Sequence, residues 1–356
     1  MNKRILISTG GSGGHVVPGV IFYEHLKNSF DTRICSDQRG TQFLNKKKYD
    51  VEIINTPRLS KNLFLIPFQI ILILLLVIKS FFFLKRKKID ILISTGGYMS
   101  LPLCIASKFL NIKIFLFEPN MVLGRANKFF LNFCEKIFCY SEKIKNFPNK
   151  FSNKIIIIKT LLRKEFYLTK PSENIDNKIN LLIIGGSQGA KLFDTAINES
   201  VIKLSKKYTL KIFQQTNSNN YENLNNFYLK NNIENKLFDF NEDISDFMSK
   251  SNICITRAGA STLAELTFLN LAYIAIPLPT AKDNHQFENA AFYERQGCSW
   301  ILNQSDLDES NLTNKLINII ENKDKYLEKK NNMRNLRYQN TWNNINQKII
   351  SAINEN

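Results

Sequence analysis

Twice along this chain a short apolar run stops at a glycine-rich turn, and a helical pattern opens directly after it. Arg4-Ile5-Leu6-Ile7-Ser8-Thr9 leads into Gly10-Gly11-Ser12-Gly13-Gly14-His15, and Val20, Ile21 and Leu26 follow Pro18 at helical spacing. Asn180-Leu181-Leu182-Ile183-Ile184 leads into Gly185-Gly186-Ser187-Gln188-Gly189-Ala190 and a second helix. Strand, glycine turn and helix make the opening of a βαβ unit. The two loops stand about 175 residues apart, the span of one α/β domain.

Between the loops, further apolar runs read as strands at Thr32–Cys35, Ile89–Ser94, Ile112–Phe117, Lys136–Tyr140 and Lys154–Ile158. After the second loop come Lys211–Gln215, Ile253–Thr256 and Ala272–Pro277. Strands alternating with helical stretches predict parallel, doubly wound sheets. The expected fold class is therefore α/β, with two Rossmann-like domains facing each other across a cleft. Lys164–Asn177 is polar, contains Pro171 and reads as the linker, and the polar tail from Asn331 onward, with Trp342, reads as helix.

At 356 residues with 44% hydrophobic content, the chain can bury two cores. Its formal net charge is +17, which suits an anionic partner: nucleic acid, phospholipid head groups or a phosphorylated substrate. Lys, Asn and Ile are abundant throughout, so composition alone also accounts for part of that excess. The six cysteines form no C-x-x-C pair, fit neither a zinc site nor a disulfide framework, and predict a reducing compartment. The first strand begins at once, so no leader precedes it in this reading.

The loop Gly10–Gly14 lets a backbone approach a ligand closely, and the helix start behind it suits a phosphate. His15 beside it can donate to a phosphate or act as a base near neutral pH. The second loop is not a phosphate-binding Walker sequence, because Ala190-Lys191-Leu192 stands where Gly-Lys-Ser/Thr belongs. Ser187 and Gln188 on its turn either face a ligand or cap a helix. The most specific stretch is Thr256-Arg257-Ala258-Gly259-Ala260-Ser261-Thr262-Leu263-Ala264-Glu265. Its small residues admit a ligand to the backbone, Ser261 or Thr262 can cap the helix, and Glu265 can accept from a ribose diol. Asp283-Asn284-His285-Gln286 then follows a strand end, where α/β ligands bind.

Taken in order, the two glycine loops, Tyr98 after Gly96-Gly97, Glu118-x-Asn120, the Arg257–Glu265 run and the late Asn284-His285-Gln286 resemble the MurG-type peptidoglycan N-acetylglucosaminyltransferases over nearly the whole chain. The resemblance implies a GT-B fold and an inverting transfer that needs no metal or other cofactor. It implies an acceptor-binding, membrane-associating domain over residues 1–163 and a UDP-GlcNAc-binding domain over 164–338. A C-terminal helix at about 339–356 would pack back on the first domain. Donor contacts carried over by position are Ser12, Gly13, Gly14, Asn120, Arg163, Ser187, Asn241, Ala260, Ser261, Thr262, Leu263, Ala264, Glu265 and Gln286, with Tyr98 on the acceptor side. Two positions depart from the family. Lys159-Thr160-Leu161-Leu162-Arg163 replaces the usual Gly-Asn-Pro-x-Arg at the hinge, and Asn241 stands where an apolar residue is common.

The implied acceptor is the C4 hydroxyl of N-acetylmuramic acid in undecaprenyl-pyrophosphoryl-N-acetylmuramyl-pentapeptide, at the cytoplasmic face of the inner membrane. The implied product belongs to cell-wall biogenesis. His15 is the first candidate for the general base and Glu118 the second; the sequence does not decide between them. Another GT-B transferase acting on a lipid acceptor stays open. So does an NAD-dependent oxidoreductase, with Asp37 near a strand end as its ribose-binding acid. A basic membrane or RNA scaffold is disfavoured, because no RNP-like aromatic strand motif is present and no nucleic-acid partner is expected.

Phe64–Leu84 is the most apolar stretch and runs into Lys85-Arg86-Lys87-Lys88. As a helix it is long enough to cross a bilayer. A crossing would separate Ile5–Gly14 from Ile89–Gly97, which must share one sheet. The expectation is a helix packed partly on its domain and partly dipping into an anionic membrane surface.

Overall fold

The computed structural model describes residues 3–44, 48–57, 64, 66–176, 178–186, 191–239 and 243–355. These form two compact units, one of residues 1–163 with 341–356 and one of residues 164–340. Each is built on a parallel sheet.

In the first unit the order is β1 (Arg4–Ser8), α1 (Gly13–Leu26), β2 (Asp31–Ser36), β3 (Val51–Ile53), α2 (Ile66–Lys87), β4 (Ile91–Ser94), α3 (Ser100–Phe109), β5 (Lys113–Glu118), α4 (Arg125–Phe130), β6 (Lys136–Cys139) and β7 (Ile155–Ile157). The strands lie side by side as β3-β2-β1-β4-β5-β6-β7, with Ile5 opposite both Thr32 and Ile91. Helices cover both faces, so the central strands are apolar on both sides rather than alternating. Phe22 of α1 packs edge-on against Phe117, ring centroids 5.2 Å apart. Leu92, Leu116 and Ile137 face a separate core with Leu103 of α3 and Val77 of α2. Burying each such side chain contributes about 1.5–3 kcal/mol.

The second unit runs α5 (Lys164–Leu168), β8 (Lys178–Ile184), α6 (Phe193–Ala196), α7 (Asn198–Lys207), β9 (Thr209–Gln215), α8 (Tyr221–Lys230), β10 (Glu234–Phe238), α9 (Ile244–Ser249), β11 (Ile253–Thr256), α10 (Ala260–Phe268), β12 (Ala272–Ala275), α11 (His285–Arg295), β13 (Trp300–Ile301), α12 (Glu309–Glu321) and α13 (Lys323–Arg337). Its strand order is β10-β9-β8-β11-β12-β13. The segment that reads as a linker is not a solvated tether. Residues 164–168 are helix, and the buried Lys330 amino group of α13 donates to the carbonyls of Ser172 (3.0 Å) and Glu173 (2.9 Å).

The last helix, α14 (Trp342–Glu355), belongs to the first unit. Lys3 donates to the Ile353 carbonyl at 2.8 Å, and Trp342 stacks on His25 of α1 with ring centroids 3.7 Å apart. Burial pushes the His25 pKa down to about 4, against weaker opposing pulls from Asn346 and Glu24. Above pH 6.5 both the folded and unfolded chains leave this ring neutral, so its contribution is fully present. Between pH 6.5 and 4 the unfolded chain takes up a proton that the folded chain refuses, and stability falls. By pH 4.5 the wild type is expected to have lost about 2–3 kcal/mol that a His25→Phe variant keeps. Thermal unfolding of both proteins between pH 7 and 4.5 measures this, and parallel curves would exclude it.

Helix α2 reveals an inverted pattern. Its buried positions are Ile73, Val77, Ser80 and Leu84, spaced four, three and four apart as one helical stripe. The polar Ser80 therefore faces the protein, while Ile71 (55% exposed), Leu75 (57%) and Phe82 (64%) face outward. The helix is long and apolar enough to cross a membrane by length and composition. Yet β3 before it and β4 after it lie in one sheet.

Candidate active site

In each sheet the strand order reverses direction once, and loops at the carboxyl ends of the two strands there diverge to opposite faces, leaving a crevice for ligands. In the first unit the reversal falls between β1 and β4. The two loops are Thr9–Ser12 and Thr95–Met99, the second continuing into α3 at Ser100.

The first loop is shaped by Asp37. This buried carboxylate accepts from the Gly11 amide (2.8 Å), the Gly40 amide (2.8 Å) and Arg39 Nε (2.7 Å). A Cβ on Gly10 would lie 2.6 Å from Asp37 Oδ1, so only glycine permits this approach. Asp37 is thus committed to holding the loop and cannot serve as the ribose-binding acid of a dinucleotide site. Ser12 caps α1 through its main chain, its carbonyl accepting from the His15 and Val16 amides at 3.0 Å. Gly13 is buried and Gly14 exposed.

His15 lies on the first turn of α1, partly exposed, with its Nδ1 2.7 Å from the Thr95 carbonyl oxygen. A carbonyl can only accept, so Nδ1 carries the proton and, in the neutral ring, Nε2 carries the lone pair. Gly96 and Gly97, at φ 87° and 83°, wrap the loop around the imidazole, their Cβ directions 3.4–3.5 Å from ring atoms. Tyr98, next along, is exposed.

Glu118, at the end of β5, is 2% exposed and carries four donors. Oε1 accepts from the Asn120 main chain (3.2 Å) and side-chain amide (2.9 Å). Oε2 accepts from the Gly124 amide (2.7 Å) and Asn127 Nδ2 (3.0 Å). A carboxylate so enclosed shapes the 118–127 turn and presents Asn120; it is poorly placed to receive a proton from a substrate. Arg163 ends the first unit behind Leu161 and Leu162, both buried, with the Leu161 amide donating to the Tyr140 hydroxyl at 3.0 Å. That bond holds the segment where the family's Asn-Pro turn is missing.

In the second unit the reversal falls between β8 and β11. Gly185 and Gly186 follow β8; the Gly185 amide donates to Gln215 Oε1 (3.1 Å) and Gln215 Nε2 donates to the Gly186 carbonyl (3.2 Å). Ser187 lies outside the described residues, as does Asn241. Gly259 begins α10 in extended conformation, and the first intrahelical bond runs from Leu263 N–H to Gly259 O at 3.0 Å. The amides of Ala260, Ser261 and Thr262 precede that bond and form the positive end of the helix. A Cβ on Gly186 or on Gly259 would lie 3.7 Å from Thr262 Oγ1, so the two loops meet at the start of α10. Leu263 and Ala264 are buried, and the Leu263 amide is used within the helix, so their side chains face the core rather than a ligand. Glu265, one turn in, is 8% exposed.

Gln286 ties the neighbouring loops together. Its Oε1 accepts from the Ala258 amide (3.2 Å) and the Leu278 amide (3.0 Å), bridging the loops after β11 and β12 and leaving the NH₂ end as the donor. Two further residues hold these loops and were not singled out in the sequence, Gln215 and Asn289, which donates to the Ala258 carbonyl at 3.2 Å; Arg257, which opens the motif run, acts with them by donating to the Ile276 carbonyl at 3.1 Å. Among the described residues no group of three or more His, Cys, Asp or Glu is placed to hold a metal ion. All six cysteines are buried thiols, Cys104 pushed up to about 12 by burial.

Comparison with known proteins agrees with this layout. Residues 5–139 match the glycosyltransferase family 28 N-terminal domain and residues 180–346 its C-terminal domain. A protein of Pelagibacter ubique (strain HTCC1062), named UDP-N-acetylglucosamine–N-acetylmuramyl-(pentapeptide) pyrophosphoryl-undecaprenol N-acetylglucosamine transferase, is 60% identical over 356 residues, 100% of both chains. A Rickettsia bellii (strain RML369-C) protein of the same name is 33% identical over 328 residues, 90% of this chain and 91% of that one. The crystal structure of Acinetobacter baumannii MurG superposes with a TM-score of 0.78 at 23% identity, covering 100% of each chain.

Proposed function

The chain belongs to glycosyltransferase family 28, to its MurG-type N-acetylglucosaminyltransferases, and from that footing we propose how its residues share one reaction. The enzyme moves N-acetylglucosamine from UDP-N-acetylglucosamine to the C4 hydroxyl of the N-acetylmuramyl-pentapeptide on undecaprenyl pyrophosphate, converting lipid I to lipid II. In the inverting transfer the C4 oxygen bonds to the anomeric carbon as the bond to UDP breaks. UDP leaves with the electron pair, and the hydroxyl proton must go to a base.

The observation that carries the assignment of roles is the 2.7 Å bond from His15 Nδ1 to the Thr95 carbonyl. It leaves the Nε2 lone pair as the proton acceptor, whereas Glu118 has its oxygens occupied by four donors. His15 is the base, and Glu118 positions Asn120. The second unit holds the donor. The first-turn amides of α10 meet the diphosphate and stabilise the charge that develops on the β-phosphate without reorganising. Glu265 accepts from the ribose hydroxyls, and Gln286 donates through its NH₂ end. Ser12, Gly13, Gly14, Asn120 and Arg163 complete the donor contacts, and Tyr98 serves the acceptor side.

The acceptor is lipid-anchored, and α2 supplies the means to reach it. Its outward apolar face, with exposed Lys79, Lys85 and Arg86, docks peripherally on the cytoplasmic side of the inner membrane. Each basic residue near an anionic surface adds about 1 kcal/mol. With anionic vesicles carrying the lipid acceptor, the protein is expected to float in a density gradient and to transfer labelled GlcNAc. Replacing Ile71, Leu75 and Phe82 together by Ser is expected to abolish flotation and cut transfer on vesicles about tenfold or more, while transfer to a short-chain soluble acceptor stays unchanged. A wild-type protein that stays at the bottom of the gradient at low salt refutes the docking. Equal loss with both acceptors would mean that the helix serves folding instead.

A further inference from the structure

Two buried threonines lie directly beneath His15. Thr9 follows β1 and Thr95 follows β4, and their amides extend the strand pairing: Thr9 N–H donates to Cys35 O (2.9 Å) and Thr95 N–H to Ser8 O (3.1 Å), with the Thr95 hydroxyl adding only a long 3.4 Å contact to the same Ser8 carbonyl. Their hydroxyls do something else. Thr95 Oγ1 donates to Thr9 Oγ1 at 2.9 Å, and Thr9 Oγ1 donates to the His15 carbonyl at 2.7 Å. The His15 ring then donates from Nδ1 to the Thr95 carbonyl at 2.7 Å. Three hydrogen bonds thus link the three residues in a closed circuit, and the Thr9 hydroxyl, acceptor and donor at once, strengthens the bond that it gives to the His15 carbonyl.

We propose that the Thr9–Thr95 hydroxyl pair is the positioning device of the His15 base, fixing the main chain of His15 relative to the carbonyl that receives its Nδ1 proton. Such a device is needed because the Thr95 carbonyl is followed by Gly96 and Gly97, both at positive φ, where the backbone has the least intrinsic resistance to reorientation. Thr9 is itself wedged from the other side. A Cβ on Gly19 of α1 would come within 2.7–2.9 Å of its side-chain atoms, so helix and strand meet here at closest approach. The relay therefore transmits the placement of α1 to the Thr95 carbonyl and keeps the ring proton on Nδ1. The inference rests on His15 being the base.

The test compares wild type with Thr9→Ala, Thr95→Val, Thr9→Ser, Thr95→Ser and His15→Ala, using UDP-N-acetylglucosamine and a soluble acceptor. The chain has three histidines, so ¹⁵N spectra of histidine-labelled protein resolve the His15 tautomer, with His15→Ala giving the assignment. Thr9→Ala and Thr95→Val are expected to lower kcat about tenfold with KM for the donor within about twofold. Their His15 signals should move from the Nδ1–H tautomer toward a mixture, and the Ser variants should restore both readouts. Wild-type kcat and an unmoved tautomer in Thr9→Ala and Thr95→Val, with His15→Ala inactive, overturn the positioning role and leave the base standing. Full turnover in His15→Ala overturns the base, and the positioning role with it. Should Thr9→Ala not fold, Thr95→Val, which keeps the shape, decides the matter alone.

Discussion

Replacing His15 by alanine is expected to lower kcat by about 10²–10⁴-fold while the affinity for UDP stays within about threefold of wild type. The asymmetry follows from what the side chain touches. Its Nδ1 is held by the Thr95 carbonyl, so in the neutral ring Nε2 is the nitrogen that would take the proton when the acceptor oxygen attacks. An interaction made only in the transition state shows in kcat and not in ground-state binding of the donor. Glu118→Gln provides the contrast. Its carboxylate accepts from Asn120, Gly124 and Asn127, so the substitution turns one acceptor into a donor facing donors and should disturb the turn that presents Asn120. Lower donor affinity or lower thermal stability is the expected signature there. Turnover at saturating substrates and calorimetric titration with UDP, run on both variants, separate the two roles. Near-normal kcat in His15→Ala would end its assignment as the base.

The central strands were readable because they are apolar on both sides, as parallel strands under two layers of helix must be. Ile5–Ile7, Ile91–Ile93 and Ile253–Ile255 are all fully or almost fully buried. The three strands that the pattern did not announce are β3, β10 and β13, and each is the last strand at one edge of its sheet. An edge strand is half solvated, so Glu234-Asn235-Lys236 in β10 reads as loop although it pairs in register with Lys211-Ile212-Phe213. The glycine loops were legible for a similar reason, since a tight turn and a close approach leave few residue types to choose from. What braces those loops was not. Gln215 and Asn289 act on loops up to 31 residues away along the chain, through hydrogen bonds that leave no local pattern. Asp37 illustrates the converse. Its place near a strand end suggested a ribose ligand, and only the Gly11 and Gly40 amides show that its oxygens serve the loop. In α2, Gln69 and Ser80 define a polar side, but which side faces the protein depends on α3 and the neighbouring core, and Ser80 proves to be buried.

Glu265→Gln is expected to raise the Kd for UDP about 10–100-fold with the fold intact. The residue lies one turn into α10, where Leu263, Ala264 and Leu266 are buried around it and it is 8% exposed itself. A carboxylate in such a place is costly unless donors meet it, and two ribose hydroxyls are well suited to that task. Hydrogen bonds to a charged group contribute about 1.5–3 kcal/mol, which gives the expected range. Glutamine keeps the size and one acceptor, so a loss of this magnitude reports the charge and the second acceptor rather than packing. Because Glu265 also has protein neighbours, affinity alone does not isolate the ribose contact. A cycle with 2′-deoxy- and 3′-deoxy-UDP does. Wild type should bind the deoxy nucleotide about tenfold or more weakly than UDP, whereas Glu265→Gln should discriminate between them by about threefold or less. Unfolding temperatures within about 3 °C of wild type would show that the helix has kept its place. If the variant penalises the missing hydroxyl as strongly as the wild type does, the two groups do not touch, and Glu265 leaves the nucleotide site.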